Sequence, residues 1–162
     1  MANMNKDRQL IGAAGEHLVL SRLLSRGLLA SLAPRGTEKA DILVNPLDGG
    51  RPVLIQVKTR SGNSKSFNWT MTKKAEAIAE KNVYYCFVDL EPKHPDVYVI
   101  PSKLVASIVK EHHSKWLSMP AKNGNAHKDS DVRKLEYRYK TPVKGASEGW
   151  MDKYLEAWDL LA

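Results

Sequence analysis

Asp41, Gln56 and Lys58 fall in two short apolar segments, Asp41 to Asn45 and Val53 to Arg60. Between them lies the turn-like stretch Pro46 to Pro52, with Gly49 and Gly50. As a simple hairpin, a symmetric register sets Val44 against Val53 and Asp41 against Gln56, with β-carbons about 5 Å apart. Lys58 stands two residues beyond Gln56 on the same face of the strand. A fourth polar residue, Glu16, lies inside the apolar arc of an upstream helix, flanked by Leu20 and Leu23, the wrong place for a solvating carboxylate. If that arc packs on the face bearing Gln56, two carboxylates, an amide oxygen and an ammonium share one partly buried space. Unpaired charges there are costly. A divalent cation relieves the cost, and oxygen donors from Asp, Glu and an amide suit Mg2+ or Mn2+. The plainer alternative is that Asp41 caps a strand or pairs with Lys58 as a structural ion pair.

The elements that must position these residues follow from periodicity. A helix is expected from Asp7 to Arg26, stopped by Gly27, with Gly12, Ala13, Val19, Leu20, Leu23 and Leu24 on its apolar side. Leu28 to Ala33 reads as a short strand, followed by the two hairpin strands. Alternation in the third strand puts Leu54, Gln56, Lys58 and Arg60 on one face. Val53, Ile55, Val57 and Thr59 take the other, which reads as the face packed on helices. Phe67 to Thr70 reads as a short strand, Lys73 to Lys81 as a helix, and Val83 to Leu90 and Val97 to Ile100 as buried strands. Pro101 opens a further helix with Leu104, Val105, Ile108, Val109 and Trp116 on its apolar side. Leu135 to Lys140 alternates as a late strand. Trp150, Met151, Tyr154, Leu155, Trp158 and Leu161 recur at helical spacing in the tail, for core packing or a subunit contact. Helices alternating with strands place the chain in the α/β class, with a mixed sheet covered by helices.

Glu16 in Gly15-Glu16, Asp41 in Ala40-Asp41-Ile42-Leu43-Val44, and Gln56-Val57-Lys58-Thr59 resemble the PD-(D/E)xK nuclease superfamily over roughly residues 10–60. The resemblance implies a restriction-endonuclease-like αβββαβ core, with a mixed central sheet flanked by helices. It spans about residues 7–118 of a single domain, and residues 119–162 form a C-terminal strand and helix appendage. It also implies roles. Asp41 is the principal metal ligand, Gln56 stands in the variable acidic position, Lys58 is the lysine that positions water, and Glu16 is the helix carboxylate. The backbone carbonyl of Val57 is the further ligand. Two positions depart from the pattern: Ala40 replaces the proline before the aspartate, and Gln56 replaces an acid. The neutral amide keeps a hard oxygen but removes one negative charge, so metal binding weakens unless Glu16 compensates. The implied reaction is Mg2+- or Mn2+-dependent hydrolysis of DNA phosphodiester bonds.

Composition agrees with a polyanionic partner. The 162 residues carry a net charge of +7, with nine Lys/Arg against five Asp/Glu in residues 1–60 and ten against four in residues 101–145. Residues 146–162 reverse the sign, with one against four. Thr59, Arg60, Ser61 and Lys65, just past the site, are either a solvated loop or candidates to hold phosphates, and Trp69 either packs in the core or stacks on a base. The basic segment Lys122 to Lys144, including Arg133, Lys134, Arg138 and Lys140, reads either as a phosphate-tracking surface or as a solubilising face. His112 and His113, adjacent on a helix, point about 100° apart and do not form a metal pair. The single cysteine, Cys86, excludes disulfides within the chain and thiolate zinc sites. No apolar run reaches the ~20 residues of a membrane span, and the polar start lacks a signal-peptide core. A cytoplasmic setting is therefore expected, with DNA as partner and, for cutting two strands, a homodimer. Two alternatives stay open: a nucleic-acid-binding module on the same fold that has lost catalysis at Gln56, and a basic adaptor for an acidic protein.

Overall fold

The computed structural model describes residues 2–61 and 67–161, with side chains from residue 7 onward. Helix α1 (Ala2–Ser25) ends where Gly27 takes φ +78°, and Gly27 N–H donates to Leu24 O and Leu28 N–H to Leu23 O. That pair of bonds is the glycine-terminated cap anticipated from the sequence. Strands β1 (Leu29–Leu32), β2 (Ile42–Asn45) and β3 (Val53–Arg60) form an antiparallel meander, with Val44 opposite Val53 and Ile42 opposite Ile55. The hairpin register is the symmetric one.

After β4 (Asn68–Thr72), β5 (Val83–Asp89) pairs parallel with β3, and β6 (Asp96–Pro101) closes the far edge antiparallel to β5. The five-stranded order is β1-β2-β3-β5-β6, a mixed sheet. Central β5 is buried on both faces, which is why Val83 to Val88 is an unbroken apolar run. Helix α2 (Ser102–Ser118) follows directly, and β7 (Val132–Glu136) pairs with β4 in a separate two-stranded sheet.

One core lies on each face of the main sheet. Val19 and Leu23 of α1 pack with Ile55, Val57, Cys86, Val88 and Trp158 on one side. Tyr85, Phe87 and Ile100 pack with Trp69, Val105, Ile108 and Leu135 on the other. The protein is thus α/β, with a mixed central sheet flanked by helices. Among the described residues, no helix is long and apolar enough to cross a membrane.

Three elements differ from the sequence expectation. The helix expected over Lys73 to Lys81 is a 3-10 turn, Lys73–Ala77. Residues 68–72 are spent on pairing with β7, and Lys73 N–H is bound by Asp131 O, so little chain is left for a full helix before β5. The late strand starts at Val132 rather than Leu135 and stops at Glu136, where Tyr139 folds back so that its hydroxyl accepts the Glu136 N–H at 3.0 Å. The tail is not a helix but two 3-10 turns, Asp152–Tyr154 and Trp158–Leu161. Between them Leu155 bridges to Tyr98 on β6, and Glu156, at φ +51°, donates its N–H to Val97 O. This crossing of the sheet edge delivers Trp150 and Met151 to one core and Trp158 and Leu161 to the other. A continuous helix would keep its apolar stripe on one side.

Candidate active site

The site begins where β2 and β3 diverge. Asp41 N–H donates to Ile55 O at 2.8 Å, the last backbone bond on that side of the pair. At the next rung the Asp41 carboxylate takes over, its Oδ2 accepting Val57 N–H at 2.7 Å. Within a strand, a residue's N–H and C=O point to the same neighbour. Leu54 bonds towards β5 through Asn82 O, whereas Ile55 bonds towards β2, so Val57 also faces β2. Its carbonyl therefore opens on the gap that Asp41 occupies.

Gln56 and Lys58 project from the opposite alternation, over the face that carries Tyr85 and Phe87. They line a cleft of about 680 Å³, together with Lys39, Thr70, Met71, Lys74 and Tyr85. Glu16 and Asp41 line an adjoining cavity of about 420 Å³ with Gln9, Ala13 and Arg35. The two hollows meet at Gly36 and Thr37, which border both. The structure thus pairs Glu16 with Asp41, and Gln56 with Lys58, in two connected compartments rather than one. Lys39, on the rim, holds a left-handed φ of +67° and pairs with Glu80, tying this loop to the segment before β5.

The conditional placement of α1 is corrected. Its apolar side packs on the Ile55, Val57 and Thr59 face, not on the face bearing Gln56. The approach is close: a Cβ on Gly15 would lie 1.9 Å from Thr59 Oγ1. Glycine there lets the helix sit against β3, and this brings Glu16 to the Asp41 end of the gap. Burial pushes the Glu16 carboxyl pKa up, and the Asp41 charge pushes it further; His17, Lys58 and Arg35 pull it back. A carboxylate pair of this kind is short of positive charge.

The oxygen donors fit a hard cation, but narrowly. Among the described residues, no three His, Cys, Asp or Glu side chains gather closely enough to hold a metal by themselves. A cation here needs the Gln56 amide oxygen or the Val57 carbonyl beside Glu16 and Asp41.

The flanking candidates separate. Trp69 is 2% exposed, donates its indole N–H to Val88 O at 2.9 Å, and packs edge-on against Phe67, Phe87 and Tyr98. It is a core residue with no ring face for a base. Arg60 pairs with buried Asp89 at 2.9 Å and lies over the Phe67 ring, so its charge is already committed. Arg133 is buried and bound to Glu76, which removes it from the basic surface. Thr59 Oγ1 is buried against α1 without a hydrogen-bond partner among the described residues. Ser61, Arg138 and Lys140 are exposed, Arg138 in an ion pair with Glu148 at 2.8 Å. Lys65 lies outside the described residues. His113 is buried on Asp129 at 2.7 Å, and His112 faces Tyr139, so the two histidines diverge as expected.

Sequence reasoning passed over Tyr85. It is fully buried, directly opposite Gln56 across the parallel pair, and its hydroxyl has no hydrogen-bond partner. Leaving such a group unsatisfied costs about 1–3 kcal/mol. A tyrosine inside the apolar run Val83 to Val88 was the available signal, but only the parallel register shows where its hydroxyl points.

No family model and no curated protein matches the chain. Among solved structures, a bacterial homing endonuclease, I-Ssp6803I, is similar over 94% of this chain and 91% of that chain, with a TM-score of 0.54 and 15% sequence identity. This chain shares the fold of a nuclease.

Proposed function

We propose that this protein is a metal-dependent DNA endonuclease of the PD-(D/E)xK type, with Gln56 in the acidic position of the triplet. The observation that carries the reading is the Asp41 carboxylate seated on Val57 N–H where β2 and β3 part, with Glu16 beside it and Gln56 and Lys58 in the adjoining cleft. Glu16, Asp41, the Gln56 amide oxygen and the Val57 carbonyl would hold the cation, Mg2+ or Mn2+. A divalent ion supplies charge that eases proton loss from water near neutral pH and offsets negative charge gathering on the phosphate. The Lys58 ammonium orients the attacking water and stabilises that same charge. Water oxygen adds to phosphorus, the bond to the leaving sugar oxygen breaks, and that oxygen gains a proton, giving a phosphomonoester and an alcohol. Arg35 on one rim and Lys74 on the other add positive charge for the flanking phosphates.

The test is cleavage of supercoiled, single-stranded and branched DNA with Mg2+ or Mn2+. Asp41→Asn keeps an acceptor for Val57 N–H while removing the charge, and Lys58→Ala removes the ammonium. Both should lose at least a hundredfold in rate while remaining folded. Cleavage that persists in both variants overturns these roles. The neutral amide at position 56 favours one second reading, a DNA-binding module without chemistry. That reading expects salt-dependent binding, no products from the wild type, and restored metal affinity in Gln56→Glu.

A further inference from the structure

Resting on the function proposed above, we infer that Tyr85 is a positioning residue: its hydroxyl accepts a hydrogen bond from the Gln56 side-chain N–H and turns the amide oxygen towards the cation. Gln56 and Tyr85 are register partners on parallel strands, so their side chains leave the sheet side by side on one face. Both line the same cleft. Tyr85 is 0% exposed, yet its hydroxyl makes no hydrogen bond among the described residues. A phenylalanine would fill the same space without leaving a polar atom unpaired.

The need for such a group follows from the chemistry of position 56. A carboxylate offers two equivalent oxygens and requires no help to face a cation. An amide offers an oxygen at one end and two N–H donors at the other, and the wrong end repels a cation. A chain with glutamine there gains from a neutral acceptor that engages the nitrogen. Lys58, next along the face, has no acceptor. Tyr85 has one, and a phenol is neutral at about pH 7.

The experiment is Mn2+ binding by calorimetry to the full chain in four forms: wild type, Tyr85→Phe, Gln56→Glu, and the double variant. Tyr85→Phe should weaken Mn2+ binding about fivefold with Gln56 present, the worth of one ordinary hydrogen bond, and less than twofold with Glu at position 56. Its melting temperature should not fall, because the lost hydroxyl made no bond. As a second readout, the Gln56 side-chain amide resonances, assigned by their absence from Gln56→Glu, should shift in protein loaded with diamagnetic Mg2+ on going to Tyr85→Phe. Equal weakening in both backgrounds, or none in either, overturns the positioning role while leaving the endonuclease reading standing. An Asp41→Asn control that binds Mn2+ as tightly as wild type overturns the endonuclease reading and this inference together.

Discussion

Gly15→Ala tests the contact that holds Glu16 in place. A β-carbon there would lie 1.9 Å from Thr59 Oγ1, 2.9 Å from its Cβ and 3.0 Å from its Cγ2. Ordinary contact begins near 3.4 Å, so helix and strand must separate by about 1.5 Å or Thr59 must change rotamer. Rotation exchanges Oγ1 for another substituent and leaves the Cβ contact untouched. Overpacking of this kind costs about 1–3 kcal/mol. Alanine returns about 1 kcal/mol through helix propensity, which leaves a net loss of about 1 kcal/mol. For a chain of this length that lowers Tm by about 2–4 °C. Urea unfolding followed by tryptophan fluorescence measures it. Thr59→Ala removes both the oxygen and the methyl, and Thr59 Oγ1 has no partner to lose, so in that background the same glycine change should cost about half as much. Mn2+ affinity should fall several-fold in Gly15→Ala and partly recover in the double variant, because Glu16 is the next residue. Gly15→Ala protein with wild-type stability and Mn2+ affinity would refute the reasoning; so would a cost unchanged by Thr59→Ala, since the clash would then lie elsewhere.

Two further outcomes are expected. Folding raises the Glu16 pKa, chiefly by burial and then by Asp41, so the ionised form opposes folding above that pKa, and the penalty vanishes once Glu16 is protonated in both states. Glu16→Gln should therefore raise Tm at pH 8 by about 1–2 °C, the gain should disappear below about pH 4, and saturating Mn2+ should reverse its sign; differential scanning fluorimetry across pH measures all three. Trp69→Leu should lose about 2–3 kcal/mol, from a shrunken core and the lost indole hydrogen bond to Val88 O. DNA affinity of the folded Trp69→Leu protein should stay unchanged in a gel-shift assay, and a large drop would show that the ring touches a base.

Local sequence determined the hairpin and with it half of the site. Strand β3 spans Val53–Arg60 as alternation indicated, and the glycine-bearing turn set Val44 against Val53 and Ile42 against Ile55; one residue further, Asp41 bonds to Ile55 O and Val57 N–H rather than pairing with Gln56. Gly27 marked the end of α1 for an equally local reason, a left-handed backbone that few other residues adopt. Glu16 was legible as a carboxylate in the wrong place. The face that α1 would cover was not, because two apolar faces of one strand compete and only the packed whole decides between them. For Trp69 the sequence left core packing and base stacking open, and for Arg133 a phosphate-tracking or solubilising face, because burial is not a local property. Each is enclosed by elements far away in the chain, Trp69 by β5 and β7 and Arg133 by Glu76.

The tail shows the same limit. Its aromatics recur at helical spacing, yet pairing with the open edge of β6 satisfies backbone groups that a free edge leaves bare. That edge exists only once the sheet has formed. Tyr85 reached Gln56 through the parallel pairing of β3 with β5, a contact whose register no turn dictates. Local pattern specified the hairpin register and singled out Glu16, Asp41, Gln56 and Lys58 as candidates. The tertiary structure decided which compartment each occupies, because burial and strand pairing between distant segments are settled by the whole core.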